Sequence, residues 1–156
     1  MNYLPLAISL SDSAPIVNSQ FGSQPDNYMS IYEFYVDEIK GFTQLGKNWD
    51  GYRSTPISQE SEQSALQFLH SIDSSWIDRI SDVFPNPHGT VTFEWETAKK
   101  GKLVLELGEK NFSYFRKDCD NQPKFVDGQN NFPNIKELQS DLDQLFSKDL
   151  PALFLA

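Results

Sequence analysis

Apolar residues recur at helical spacing in three parts of the chain, and each part begins with a residue suited to capping a helix. The first begins at Ser30, which forms a capping box with Glu33, and its apolar run ends at Gly46. The second begins near Ser58, where acidic residues in the first turn suit the helix dipole. The third begins at Asn134, which has a glutamate three residues later. The pattern therefore predicts about three helices.

The period of the pattern changes from helical spacing to strict alternation after residue 90. Apolar and polar residues alternate in three segments, 91–96, 103–107 and 112–115, which short glycine-containing turns separate. Successive short turns predict an antiparallel meander, and 125–126 is expected to add a fourth, weaker strand. Before this region, an apolar pattern continues through 76–83 into a Pro-Asn-Pro-His-Gly loop.

The order of these elements predicts the fold class. Two helices, three or four strands and a final helix favour an α+β two-layer sandwich, in which helices cover one face of an antiparallel sheet. Residues 1–28 contain three prolines and no Lys or Arg, so we expect an irregular N-terminal arm there. A single α+β domain is expected over 29–156, because a chain of 156 residues can bury a sizeable core.

Charge and cysteine content narrow the possible partners and the compartment. The net charge of −9 disfavours binding to duplex nucleic acid or to an anionic membrane, and it permits a protein partner with a basic surface. The single cysteine, Cys119, excludes an internal disulfide and fits a reducing cytoplasm. The apolar run at 4–10 is short, contains Pro5 and follows no Lys or Arg, so we expect no signal peptide.

Three glutamates are the strongest candidates for site chemistry in the predicted sheet. Glu94 and Glu96 project from one face of the first meander strand, and Glu106 is expected on the same face of its neighbour. Paired carboxylates can act as acid and base or bind a hard cation, but they also occur as an ordinary solvated sheet face. With no His-rich or Asp-rich segment nearby, we favour the solvated face.

Other chemistry is sparse in this sequence. The two histidines and the single cysteine do not have zinc-ligand spacing, and the acidic neighbours of the cysteine would raise its thiol pKa. The chain contains neither a glycine-rich phosphate loop nor a nucleophile elbow. We therefore expect no metal, no cofactor and no enzymatic activity.

The segment 47–52, Lys-Asn-Trp-Asp-Gly-Tyr, places a tryptophan in a polar turn that Asp50 and the following glycine can form. A large ring in a turn gains free energy only if it folds onto the core or meets a partner. We favour core packing for Trp49. The alternative is that Trp49, Tyr52 and Trp76 are anchors at a protein interface, where Trp and Tyr are enriched.

Several motifs together resemble a scattered group of small, uncharacterised bacterial proteins. That group combines an Asn-Trp-Asp-Gly-Tyr-Gly-Ala segment, a helix, a Pro-x-Gly turn and a Glu-Trp strand. Here the matching residues lie at 48–52, 56–58, 87–89, 93–95 and 103–107. Arg53 and Ser54 replace the usual Gly-Ala. The resemblance implies a link to mobile and defence loci, as for an antitoxin, an immunity protein or an antagonist of a defence system, and it implies no catalytic residues.

These observations predict a non-enzymatic, cytoplasmic protein that occludes a partner protein through an acidic, aromatic-containing surface. The residues expected to form that surface are Trp49, Asp50, Tyr52, Trp76, Glu94, Glu96 and Glu106. Two alternatives stay open. One is a secretion chaperone for an effector protein, for which a homodimer is common. The other is a metal-assisted hydrolase that uses the carboxylates of the sheet face.

Overall fold

The structure, a computed structural model, describes residues 29–118, 123–129 and 133–148. In chain order the helices and strands are α1 (Ile31–Phe42), α2 (Gln59–Ser71), α3 (Ser74–Ile77), β1 (Asp82–Pro85), β2 (Val91–Glu96), β3 (Lys102–Leu107), β4 (Phe112–Lys117), β5 (Lys124–Gly128) and α4 (Ile135–Ser147). The predicted N-terminal arm and Cys119 lie outside the described residues.

The first two helices begin where the sequence predicts. Ser30 Oγ accepts a 3.2 Å hydrogen bond from the Glu33 amide, while Glu33 Oε2 accepts one of 2.9 Å from the Ser30 amide. The capping box is therefore complete, and it satisfies two backbone donors that the helix itself leaves free. Ser58 caps α2 in the simpler way, because its hydroxyl accepts a 3.1 Å bond from the Ser61 amide.

Helix α4 also begins after its predicted cap, but the capping box is not formed. Asn134 Oδ1 accepts a 3.1 Å bond from the Lys136 amide. Glu137 does not reach back to the cap, and its carboxylate lies 3.0 Å from Lys124 Nζ on β5. An ion pair between α4 and β5 thus takes the place of the capping-box bond from Glu137 to the backbone of Asn134.

The sheet is an antiparallel meander of five strands in the order β1-β2-β3-β4-β5. The α+β prediction with an antiparallel meander is confirmed, and the predicted strand at 125–126 is β5. The sheet has one strand more than the three or four expected, because β1 was not predicted. Only Val83 is buried within that four-residue strand, so its sequence carries too little alternation to indicate a strand. The described residues also form a fourth helix, the single turn α3.

The core lies between the helices and one face of the sheet. Trp95, Phe93 and Phe68 are fully buried, and their rings meet with centroids 5.0–6.3 Å apart. The Trp95 indole N–H donates a 2.9 Å bond to the carbonyl oxygen of Trp76. Each such ring contributes about 1.5–3 kcal/mol by its burial, so these rings anchor α2 and α3 to the sheet. None of the helices in the described ranges is long and apolar enough to cross a membrane.

Candidate functional site

The helices leave the opposite face of the sheet uncovered by the described secondary structure, and we call it the outer face. The strand register aligns alternate side chains on this face in rows. One row crosses all five strands and contains Asp82, Glu94, Val104, Phe115 and Phe125. Its apolar half is partly exposed, because Val104 and Phe115 are half-buried whereas Phe125 keeps 73% of its surface accessible. The ring centroids of Phe115 and Phe125 lie 5.0 Å apart. We call Val104, Phe115 and Phe125 the aromatic patch.

The next row along the strands is polar on β3, β4 and β5, where Glu106, Ser113 and Asp127 are aligned. Glu106 is half-buried, and its Oε1 accepts a 2.5 Å bond from the Thr90 hydroxyl. Ser113 and Asp127 are exposed. These residues line a cavity of about 570 Å³, which we call the polar cavity. It adjoins a cavity of about 450 Å³ over the aromatic patch, because Glu106, Ser113 and Asp127 line both.

At the other end of the outer face, carboxylates and lysines are paired. Lys102 Nζ lies 2.6 Å from Glu94 Oε1 and 3.8 Å from Glu96 Oε2. The hydrogen bond to Glu94 raises the pKa of Lys102, and the hydrogen bond from Lys100 lowers the pKa of Glu96. Each of these carboxylates therefore already has an ammonium partner. Within the described ranges, no group of three or more His, Cys, Asp or Glu side chains is placed to hold a metal ion.

The predicted turn at 47–52 is part of a loop whose own side chains fix its shape. Asp50 Oδ1 accepts bonds of 2.7 Å from the Tyr52 amide and 3.2 Å from the Ser54 amide. The Tyr52 bond is the main reason that the pKa of Asp50 is lowered. Asn48 Oδ1 accepts a 2.6 Å bond from the Arg53 amide. Asp50 is therefore occupied within the loop, which holds Tyr52 out with 88% of its surface exposed.

The exposure of Trp49 is intermediate between that of a core ring and that of an interface anchor, the two alternatives that the sequence left open. The residue is half-buried, and its indole nitrogen is buried without a hydrogen-bond partner among the described residues. A fully packed core ring would be less exposed, whereas an interface anchor would present more of its surface. Core packing and partner binding thus both stay predictions for this residue.

The loop contacts the turn between β1 and β2, which carries the Pro-His-Gly motif. The Thr55 amide donates a 2.7 Å bond to the carbonyl oxygen of Pro87. Gly89 has φ of +85°, and a Cβ at this position would lie 3.1 Å from the Pro56 carbonyl oxygen. A side chain would therefore force the loop and the turn apart. The segments 55–56 and 87–89 are thus joined in space, and residues of both line a cleft of about 840 Å³ that extends to Glu106.

Trp76 lies apart from the other predicted site residues. It is 8% exposed and belongs to the core on the helical side of the sheet. Its ring centroid is 5.6 Å from that of Phe146, and the Arg79 guanidinium lies 5.2 Å from it. Little of the ring is accessible to a partner. The structure therefore places Glu94, Glu96 and Glu106 on one sheet face, keeps Trp49, Asp50 and Tyr52 in one loop, and puts Trp76 elsewhere.

Sequence reasoning missed the aromatic patch. Phe115 directly follows the core residue Tyr114, and Phe125 is in the weakest of the predicted strands. The available signal was the alternation itself, because Tyr114 and Phe115 cannot face the same side of a strand. No protein-family model, curated protein or solved structure matches this chain.

Proposed function

We propose that this protein is a non-enzymatic inhibitor that binds a partner protein and occludes it through the outer face of the sheet. The observation that carries the proposal is the 73% exposure of Phe125 beside Phe115 on a face that no described helix covers. Contiguous exposed apolar surface of this kind marks interaction sites, and aromatic residues are enriched at the centres of interfaces.

The acidic charge of the outer face and of the whole chain supports a partner protein with a basic surface. Carboxylates outnumber ammonium groups on the outer face, and Glu106 and Asp127 border the aromatic patch directly. The chain as a whole carries a net charge of −9. Such a field speeds the encounter with a basic surface, while buried aromatic contacts lengthen the lifetime of the complex. The resemblance of 48–52 and 87–89 to bacterial proteins of mobile and defence loci supports an antitoxin, an immunity protein or an antagonist of a defence system.

The test compares two exposed phenylalanines in affinity capture from a host that carries the gene. Phe125→Ser removes the most exposed ring of the aromatic patch, whereas Phe34→Ser removes a ring that is 48% exposed on α1. We expect the wild type and Phe34→Ser to retain one basic protein in stoichiometric amount, and Phe125→Ser to lose it. With the purified partner, Phe125→Ser should weaken binding by about 2 kcal/mol in calorimetry.

Circular dichroism must first show that both variants fold, as exposure of both side chains leads us to expect. The proposal fails if no stoichiometric partner is retained at low salt. It also fails if Phe125→Ser binds the partner as tightly as Phe34→Ser does.

The secretion-chaperone alternative also uses an exposed apolar face, and it differs in predicting a dimer. Light scattering after size exclusion separates the two functions. A strict monomer argues for the inhibitor. A dimer that Phe125→Ser converts to monomer would assign the aromatic patch to self-association and support the chaperone.

A further inference from the structure

The outer face repeats one arrangement on three adjacent strands. On β3, Val104 precedes Glu106 by two residues, and on β5, Phe125 precedes Asp127 by two residues. On β4 the strand direction is reversed, so Ser113 precedes Phe115. The result is an apolar row beside a polar row. The two rows lie about 7 Å apart, since strands rise 3.2–3.4 Å per residue.

An extended partner segment has the same spacing. Its side chains at positions i and i+2 point the same way and lie about 7 Å apart. A segment lying along the strands can therefore place one side chain on the apolar row and the side chain two positions later on the polar row. A helix would separate residues two apart by about 200° and could not do so.

The chemistry of the polar row favours a cationic group. Glu106 uses Oε1 to accept the Thr90 hydroxyl, and Asp127 has no ion pair within the described ranges. The two carboxylates belong to the first and third strands of the trio, with the Ser113 hydroxyl between them. Two anionic acceptors on one cavity wall suit a guanidinium or ammonium group, and arginine can bond to both oxygens of a carboxylate.

We propose that the outer face recognises an extended segment of the partner in which an apolar residue and an arginine or lysine lie two positions apart, in either order. The apolar side chain lies on the aromatic patch, and the basic group enters the polar cavity between Glu106 and Asp127. This inference rests on the proposed function and names the feature that the same surface selects in its partner.

The test is a peptide selection, which can be carried out before the partner is identified. Random dodecapeptides displayed on phage are selected for binding to the wild-type protein and depleted on Phe125→Ser. We expect a consensus in which an apolar residue and Arg or Lys are separated by one residue of any kind. A synthetic consensus peptide with Glu in place of the basic residue should bind about tenfold more weakly, as expected for losing a charge-assisted hydrogen bond.

The double variant E106Q/D127N tests the polar cavity by itself. Glu106→Gln keeps the carbonyl oxygen that accepts from Thr90, so the fold should be retained. Peptides selected on this variant should keep the apolar residue and lose the preference for Arg or Lys. Asp143→Asn is the matched control, since this carboxylate is exposed on α4, and its selection should reproduce the wild-type consensus.

Each outcome of the selections is decisive for the inference. The inference is overturned if no consensus emerges, if the basic residue lies at another spacing, or if E106Q/D127N still selects it. Failure here while Phe125→Ser still abolishes capture of the partner protein would leave the proposed function standing. If the peptide selections and the capture of the partner protein both fail, the inference and the proposed function are both overturned.

Discussion

The hydroxyl of Tyr114 donates a 2.6 Å hydrogen bond to Oδ2 of Asp141, a residue that is only 4% exposed on α4. Arg116 Nη1 donates a 2.6 Å bond to Oδ1 of the same carboxylate, and Lys124 Nζ lies 2.6 Å from Oδ2. One buried anion thus receives donors from both β4 and β5. Because a buried charge is tolerated only when it is paired and hydrogen-bonded, this cluster fixes where α4 lies on the sheet.

Asp141→Asn should therefore destabilise the protein. The substitution keeps the shape of the side chain but removes the anion that Arg116 and Lys124 share, although Asp118 and Glu137 still pair with them. The loss of a hydrogen-bonded charge then costs about 1.5–3 kcal/mol. Urea unfolding at pH 7 measures this cost. Asp143→Asn on the exposed side of the same helix should change the free energy of unfolding by less than about 0.5 kcal/mol. Equal effects of the two substitutions would contradict a stabilising role for the cluster.

Because of the same cluster, we expect the folded protein to lose stability at alkaline pH. Burial, reinforced by the bond to Asp141, raises the pKa of Tyr114. Burial by itself would lower the pKa of Lys124, but the bonds to Asp141 and Glu137 outweigh it and raise that pKa. A raised folded-state pKa stabilises below the unfolded value, and this stability is lost as pH rises towards the folded value. Stability should therefore fall above about pH 10, where unfolded Tyr and Lys begin to titrate.

Tyr114→Phe isolates the tyrosine contribution to this loss. The free energy of unfolding, measured by urea denaturation between pH 8 and pH 11, should fall more steeply with pH for the wild type than for the variant. The difference in slope is limited to about 1.4 kcal/mol per pH unit, the value for one proton. Identical slopes would show that the Tyr114 hydroxyl does not titrate differently in the folded and unfolded states.

Arg53→Gly should stabilise the protein. Arg53 has φ of +71°, a left-handed conformation that costs a residue with a Cβ about 1–2 kcal/mol and glycine nothing. Greater freedom of glycine in the unfolded chain returns part of this gain, so we expect a net of about 0.5–1 kcal/mol in thermal unfolding. Gly51→Ala is the reverse experiment, since φ is +79° with no atom near the new Cβ, and it should destabilise. A destabilised Arg53→Gly would mean that the Arg53 side chain makes a contact outweighing its backbone strain.

Two tryptophans should respond differently to replacement by Phe. Trp95 is fully buried and its indole N–H bonds to Trp76, so Trp95→Phe should cost about 1–3 kcal/mol. Trp49 is half-buried and its indole N–H has no partner within the described ranges, so Trp49→Phe should cost less than about 1 kcal/mol. Chemical denaturation of both variants tests the order, and a Trp49→Phe that costs as much as Trp95→Phe would place Trp49 in the core.

Much of the fold was predictable because its signals are local. The caps at Ser30 and Ser58 act over three residues, and alternation from Val91 to Leu107 assigns side chains to two faces without reference to the rest of the chain. For that reason the sequence by itself placed Glu94, Glu96 and Glu106 together on one face. Strand β1 is too short to show a period, so its existence depends on pairing with β2 and could not be read from four residues.

The tertiary structure alone decided which apolar residues stay exposed and which charges are buried. A strand pattern states that Tyr114 and Phe115 face opposite sides, but not which side the helices cover. That choice comes from contacts between elements far apart in sequence, and it exposes Phe125 while burying Trp76. Asp141 likewise has the polar character of a surface residue until β4 and β5 bring its three donors. The sequence determined local conformation, whereas the burial that defines the candidate site arises only from packing between distant segments.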